Sequence, residues 1–309
     1  MLRGTRDARA TITNRPSRCP RGSTAAFWCS GASLWIAARG RCRPPGSLPP
    51  RASGPTGRSS PMWWTEGALL PGLDFERTGR WLLAAWIASV ALFVGVPSID
   101  LWISAAFWRS GTGFPLGNRE LWDLLRNLLW DIEIVVFVIA LVACLRSLAQ
   151  RRPVLGMPAR AWAYIWSVFL IAPVLMANGV LKAYSGRARP ANVVEFGGDS
   201  LFTRAGEITD QCQRNCSFVS GEVSSAVALS VTLWLASVMW RGLEGWQRSY
   251  IRVVAVLIPV FVTLQRISAG RHFASDAVFG ALLTLTAAWA LYALFSGQRP
   301  WRRGGEGRS

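Results

Sequence analysis

Six apolar stretches divide the chain, separated by segments rich in arginine, glycine and proline. The first, WLLAAWIASVALFVGV, covers 81–96 and runs on toward position 100, where Pro97 and Asp100 end or kink it. Five more follow at 129–148, 161–181, 218–240, 250–265 and 277–295. A helix needs roughly 20 residues to cross a hydrocarbon layer ~30 Å thick, and each stretch is of that order. The pattern predicts an all-α, polytopic membrane protein, a six-transmembrane-helix bundle forming one domain over 62–297. Residues 105–127 mix aromatics with Gly111, Gly113, Pro115 and charges, which predicts an interfacial loop with a short amphipathic helix near 119–129. Asp131 and Glu133 fall near the start of the second span and read as headgroup or helix N-terminal charges.

Composition supports the membrane class. Of 309 residues 51% are hydrophobic and only 17% charged, against roughly a quarter in soluble domains. The formal charge is +17, almost all of it arginine, with Lys182 the only lysine. Residues 1–61 hold eleven arginines against one acid, and their proline- and glycine-rich run predicts no packed core. That extension reads as a disordered tail, a processed segment, or the product of a start placed ahead of Met62. Residues 298–309 read as a basic cytosolic tail. The remaining arginines cluster between apolar runs, as orientation charge does, so nucleic acid is not implied as a partner. One histidine among six cysteines gives no metal-site spacing. Cys212 and Cys216 share a loop and are free to pair in an oxidising compartment, although the short separation leaves a strained or absent bond equally open.

Arg77 and Arg80, Arg151, Arg152 and Arg160, Arg241, Arg248 and Arg252, and Arg299, Arg302 and Arg303 all fall on one side of a six-span layout with both termini in the cytosol. Three polar clusters then share the opposite, non-cytosolic face. Lys182–Pro190 follows the third span, Ser220–Glu222 opens the fourth, and Arg266–Asp276 joins the last two. Taken alone, Lys182 and Arg187 read equally well as interfacial snorkelling residues.

The chemistry of these clusters suits phosphate. Lys182, Arg189 and Arg266 offer donors for phosphoryl oxygens, arginine with a planar fork that matches two of them. Ser220 and Gly221 open a helix whose first N–H groups are free to bind an anion. His272 is the expected nucleophile, or else the base that activates water. Asp276 lies four residues on and, if the segment is helical, shares its face and orients the ring. With no second histidine, Glu222 is the expected general acid.

The same residues form three motifs. Lys182 is followed after six residues by Arg189-Pro190; then come Val219-Ser220-Gly221-Glu222, and Gln265-Arg266 with His272 and Asp276. The set resembles the type 2 phosphatidic acid phosphatase (PAP2) superfamily, of the vanadium-haloperoxidase-like type, whose motifs read lysine-x6-arginine-proline, proline-serine-glycine-histidine and serine-arginine-x5-histidine-x3-aspartate. The resemblance implies a phosphohistidine at His272 with Asp276 in relay. It also implies phosphate binding by Lys182, Arg189, Arg266, Ser220 and Gly221, and no metal or other cofactor. It implies a membrane lipid phosphate or diphosphate as substrate in the bilayer, and no protein partner. Val219, Gln265 and Glu222 depart from the pattern. Glu222 stands where the family has its acid histidine, which favours a leaving group that is easily expelled, as in undecaprenyl diphosphate or lipid A. A phosphotransferase using the same phosphohistidine, or a catalytically degenerate lipid-binding protein, are the alternatives.

Overall fold

The computed structural model describes residues 69–70 and 73–296. The extension at 1–61 and the tail at 298–309 lie outside the described residues. Six helices are long and apolar enough to span a bilayer: α1 (Phe75–Gly95), α3 (Glu120–Gln150), α4 (Ala159–Tyr184), α5 (Gly221–Met239), α6 (Gly245–Ser268) and α7 (Ala274–Ser296). A shorter helix, α2 (Ser98–Ala105), follows α1 after a break at Pro97. Among the described residues no strand forms; only isolated bridges occur, such as Arg109 with Gly113. The all-α, six-span expectation therefore holds.

The ends of the spans differ from expectation in ways that shape the site. The break at Pro97 turns Asp100 into the first turn of α2, where it is fully buried. The amphipathic helix expected near 119–129 is not separate: it is the start of α3, a single helix of 31 residues. At ~1.5 Å per residue that helix outreaches a ~30 Å hydrocarbon layer by several turns. Its polar first turns therefore extend past the apolar zone and carry Asp123 and Arg126 along. Glu133, expected among headgroups, faces the bundle interior and is buried.

The start of α1 is capped by the Asp74 carboxylate, which accepts from Arg77 N–H at 2.9 Å. In α4 the turns widen to π-type over Leu170–Leu181, a stretch that contains Pro173. α5 is the most enclosed span and α1 the least, with 61% and 6% of their apolar windows buried, so α5 is the axis of the bundle. Small side chains let neighbours approach that axis. A Cβ at Gly280 on α7 would stand 2.8 Å from the Ser220 carbonyl oxygen, so glycine is what lets α7 pack over the start of α5. Ser224 of α5 and Thr284 of α7 share a hydroxyl hydrogen bond of 2.6 Å.

Candidate active site

Both helices that end and helices that begin converge at one end of the bundle. The last turns of α4 and α6 bring Lys182 and Arg266; the first turns of α5 and α7 bring Glu222 and Asp276. The connecting loops add Arg189 and His272. Lys182, Arg189, Glu222, Arg266 and His272 line one pocket of about 220 Å³. The pocket also takes Asp123 and Arg126 from α3, Asn215 from the loop before α5, and Arg271. Of the residues expected in the site, Asp276, Ser220 and Gly221 do not line the pocket. All three are buried behind it.

His272 is held by backbone. Its Nδ1 lies 2.8 Å from the Ser217 carbonyl oxygen. A carbonyl only accepts, so Nδ1 carries the proton and Nε2 keeps the lone pair. Burial pushes the imidazole below its usual value of 6.5, against the raising influence of Asp276; the charges of Lys182 and Arg266 push the same way as burial. The ring is therefore held neutral.

Asp276 comes near the ring by a route other than the expected shared helix face. His272 precedes α7 and Asp276 is in its first turn, so the loop brings them together. The nearer carboxylate oxygen is 3.8 Å from Nδ1, beyond hydrogen-bond distance. That oxygen accepts instead from the Ser217 hydroxyl at 2.5 Å and from Phe273 N–H at 2.8 Å. The other oxygen accepts from Arg187 at 2.6 Å. Arg187 does not snorkel; its side chain is 0% exposed and also pairs with Asp100 at 2.9 Å. Burial pushes the Asp100 carboxyl up, opposed chiefly by the charge of Arg187.

The cations divide into engaged and waiting groups. Arg126 Nη2 and Nε donate to the two oxygens of Glu222 at 2.7 and 3.2 Å, and Arg266 Nη1 donates to Oε2 at 2.6 Å. A proton on Glu222 therefore requires one of these bonds to open. Arg266 Nε is buried with no partner among the described residues. Arg189 Nη2 donates to the Asn215 carbonyl at 2.8 Å, and burial lowers its guanidinium from the ordinary value. Asn215 stands in a loop closed by a disulfide between Cys212 and Cys216, which settles the alternative left open by their spacing. Ser220 caps α5, its hydroxyl accepting from Val223 N–H at 3.4 Å. Among the described residues no group of three or more His, Cys, Asp or Glu is placed to hold a metal.

Sequence reasoning missed Arg126, Arg187, Asp100 and Ser217. Arg187 carried a signal, since it stands between Lys182 and Arg189 where a long side chain has to go somewhere. Arg126 and Asp100 carried none, because nothing local pairs them with residues on other helices.

A cationic pocket at the ends of membrane helices, built around a neutral histidine, defines a phosphatase of the bilayer. A family model described as the PAP2 superfamily matches residues 160–300, and the chain belongs to that superfamily. It is a multi-pass protein of a bacterial inner membrane and a hydrolase of lipid-linked phosphate or diphosphate. Among proteins of known activity it is 31% identical over 227 residues to the lipid A 4'-phosphatase of Rhizobium leguminosarum, covering 69% of this chain and 94% of that one. To the lipid A 4'-phosphatase of Rhizobium etli it is 31% identical over 231 residues, 71% of this chain and 87% of the relative. The lipid A 4'-phosphatase of Francisella tularensis subsp. novicida is 29% identical over 216 residues, 68% and 90% of the two chains. A solved transmembrane PAP2 type phosphatidylglycerolphosphate phosphatase from Bacillus subtilis is 18% identical with a TM-score of 0.46, covering 74% of this chain and 99% of that one.

Proposed function

We propose that this protein removes phosphate from a lipid-linked substrate of the lipid A or undecaprenyl diphosphate kind through a phosphohistidine at His272, without a metal. The observation that carries the reading is the Nδ1 bond to the Ser217 carbonyl, which leaves Nε2 with its lone pair on a histidine that lines a cationic pocket. Nε2 attacks phosphorus, the bond to the leaving oxygen breaks, and Lys182, Arg189 and Arg266 hold the phosphoryl oxygens as charge shifts onto them. Ser220 and Gly221 act from behind, by fixing the start of α5. Glu222 supplies the proton to the leaving oxygen, reaching its protonated form once phosphoryl oxygens replace it on Arg266. Water then attacks phosphorus, the P–N bond breaks and the water proton passes to Glu222, releasing phosphate and restoring the neutral imidazole.

Lipid A is the favoured substrate because the three relatives named above are lipid A 4'-phosphatases, two of them at 31% identity. The arginine distribution supports a site on the periplasmic face with both termini in the cytosol. The test is purified protein in detergent, assayed for phosphate release from lipid A, undecaprenyl diphosphate, phosphatidate and phosphatidylglycerophosphate, with His272→Ala as control. The expected result is preferential release from lipid A and none from the control. Undiminished release by His272→Ala overturns the mechanism.

A further inference from the structure

Behind the pocket runs a chain of buried charges that the phosphoryl-transfer scheme does not use. Asp100, Arg187 and Asp276 have side chains that are all 0% exposed. They come from α2, from the loop after α4, and from α7. Arg187 bridges the two carboxylates, donating to Asp100 at 2.9 Å through Nη2 and to Asp276 at 2.6 Å through Nη1. Ser275 fills the angle between them. Its hydroxyl accepts from Arg187 at 2.8 Å and donates to Asp100 at 2.5 Å, and its N–H donates to the other Asp100 oxygen at 2.9 Å. Arg187 Nε is taken by the Thr203 carbonyl at 3.0 Å, and the guanidinium carbon lies 4.4 Å from the centre of the Phe273 ring. Arg187 is thus tied through Nε, Nη1 and Nη2 to the loop at Thr203, to α7 and to α2.

Removing three ions from water costs several kcal/mol for each, and an apolar plug of the same size would hold the helices as well. What an apolar plug would not do is fix Asp276. With Oδ1 on Arg187 and Oδ2 on Ser217 and Phe273, the carboxylate is kept off the imidazole. Ser217 then completes the path, its hydroxyl on Asp276 and its carbonyl on Nδ1 of His272. We propose that Asp100 and Arg187 are positioning residues for the nucleophile: they clamp Asp276 so that it holds Ser217, and the Ser217 carbonyl rather than Asp276 accepts the hydrogen bond from Nδ1–H of His272. This rests on His272 being the nucleophile.

The clamp serves attack by Nε2. A carboxylate released from Arg187 turns toward Nδ1 and favours the imidazolium, whose Nε2 has no lone pair. The other charged groups facing His272 are Lys182 on α4, Glu222 on α5 and Arg266 on α6, with Asp123 and Arg126 of α3 and the loop residues Arg189 and Arg271 also lining the pocket. None of these is altered by a substitution at Arg187, so a change in the acid limb of the pH profile reports on the clamp.

The experiment measures kcat/KM against pH, with Tm, for the wild type, Arg187→Lys, and the apolar pair Asp100→Leu with Arg187→Met. A lysine keeps the charge but cannot fork across both carboxylates. Arg187→Lys is expected to lose at least tenfold in kcat/KM, with the acid limb moved up by half a pH unit or more. The apolar pair leaves Asp276 without its cation and is expected to keep kcat low. Recovery of activity together with Tm in the apolar pair, or an unmoved acid limb in a folded Arg187→Lys, overturns the proposal. His272→Ala in the same series separates the two readings, since full activity there removes the nucleophile itself.

Discussion

Replacing Gly221 by alanine tests how the start of α5 is fixed. Gly221 is the first residue of α5, and its backbone accepts alanine without strain. Space is the obstacle. A Cβ would press against Oδ1 of Asn178 and stand 2.8 Å from its Nδ2 and 2.9 Å from its Cγ. Asn178 is not free to swing, because Nδ2 donates to the Pro173 carbonyl at 2.7 Å within the π-type turns of α4. Breaking that bond costs about 1 kcal/mol. Keeping it instead displaces the Ser220–Glu222 turn, an overpacking cost of about 1–3 kcal/mol. Taking about 2 kcal/mol of this as lost transition-state stabilisation gives roughly a 30-fold fall in kcat/KM. The assay is kcat/KM for the wild type, Gly221→Ala, Asn178→Ala and the double variant. Asn178→Ala empties the contested space, so in that background the Gly221→Ala step should cost less than about threefold, a coupling above 1 kcal/mol. The same 30-fold step in both backgrounds would refute the reasoning, since the methyl would then be harming something other than its contact with Asn178.

Two further outcomes follow from the pocket. Glu222→Gln should lower kcat about 10²–10⁴-fold on a simple alkyl phosphate while changing an aryl phosphate with a good leaving group less than about tenfold; equal losses on both, measured by phosphate release, count against proton delivery by Glu222. Because burial lowers the His272 imidazole from 6.5 and only its neutral form attacks, activity should persist as pH falls through 6.5, with the acid limb of kcat/KM below that value. A limb at or above 6.5 would show that the ring is more easily charged than its surroundings allow.

Much of this arrangement was legible in the order of residues. The six spans follow from runs of apolar side chains, whose signal is additive and local. The gathering of Lys182, Arg189, Glu222, Arg266 and His272 followed from counting spans, since odd and even connections must alternate between faces. What escaped were pairings across helices. Arg187 has the same composition signature as a residue at a headgroup, and only the position of Asp100 on the neighbouring α2 shows that it turns inward. Arg126 escapes because the polar start of α3 and its apolar body read as two elements; their continuity as one helix aims Arg126 at Glu222. The i, i+4 reasoning for His272 and Asp276 reached a true neighbourhood by a wrong route. The two residues straddle the start of α7, and the nearer carboxylate oxygen hydrogen-bonds the Ser217 hydroxyl and Phe273 N–H instead of the ring.

The contrast between an enclosed α5 and a bare α1 sets where this protein is free to drift. A lineage can exchange leucine for valine or isoleucine along most of α1, since acyl chains accept any of them. Along α5, Ser224, Ala226 and Ala228 sit where a single added methylene meets another helix. Variation should therefore collect on the rim of the barrel of helices, and the axis should stay small-sided for as long as the reaction is kept.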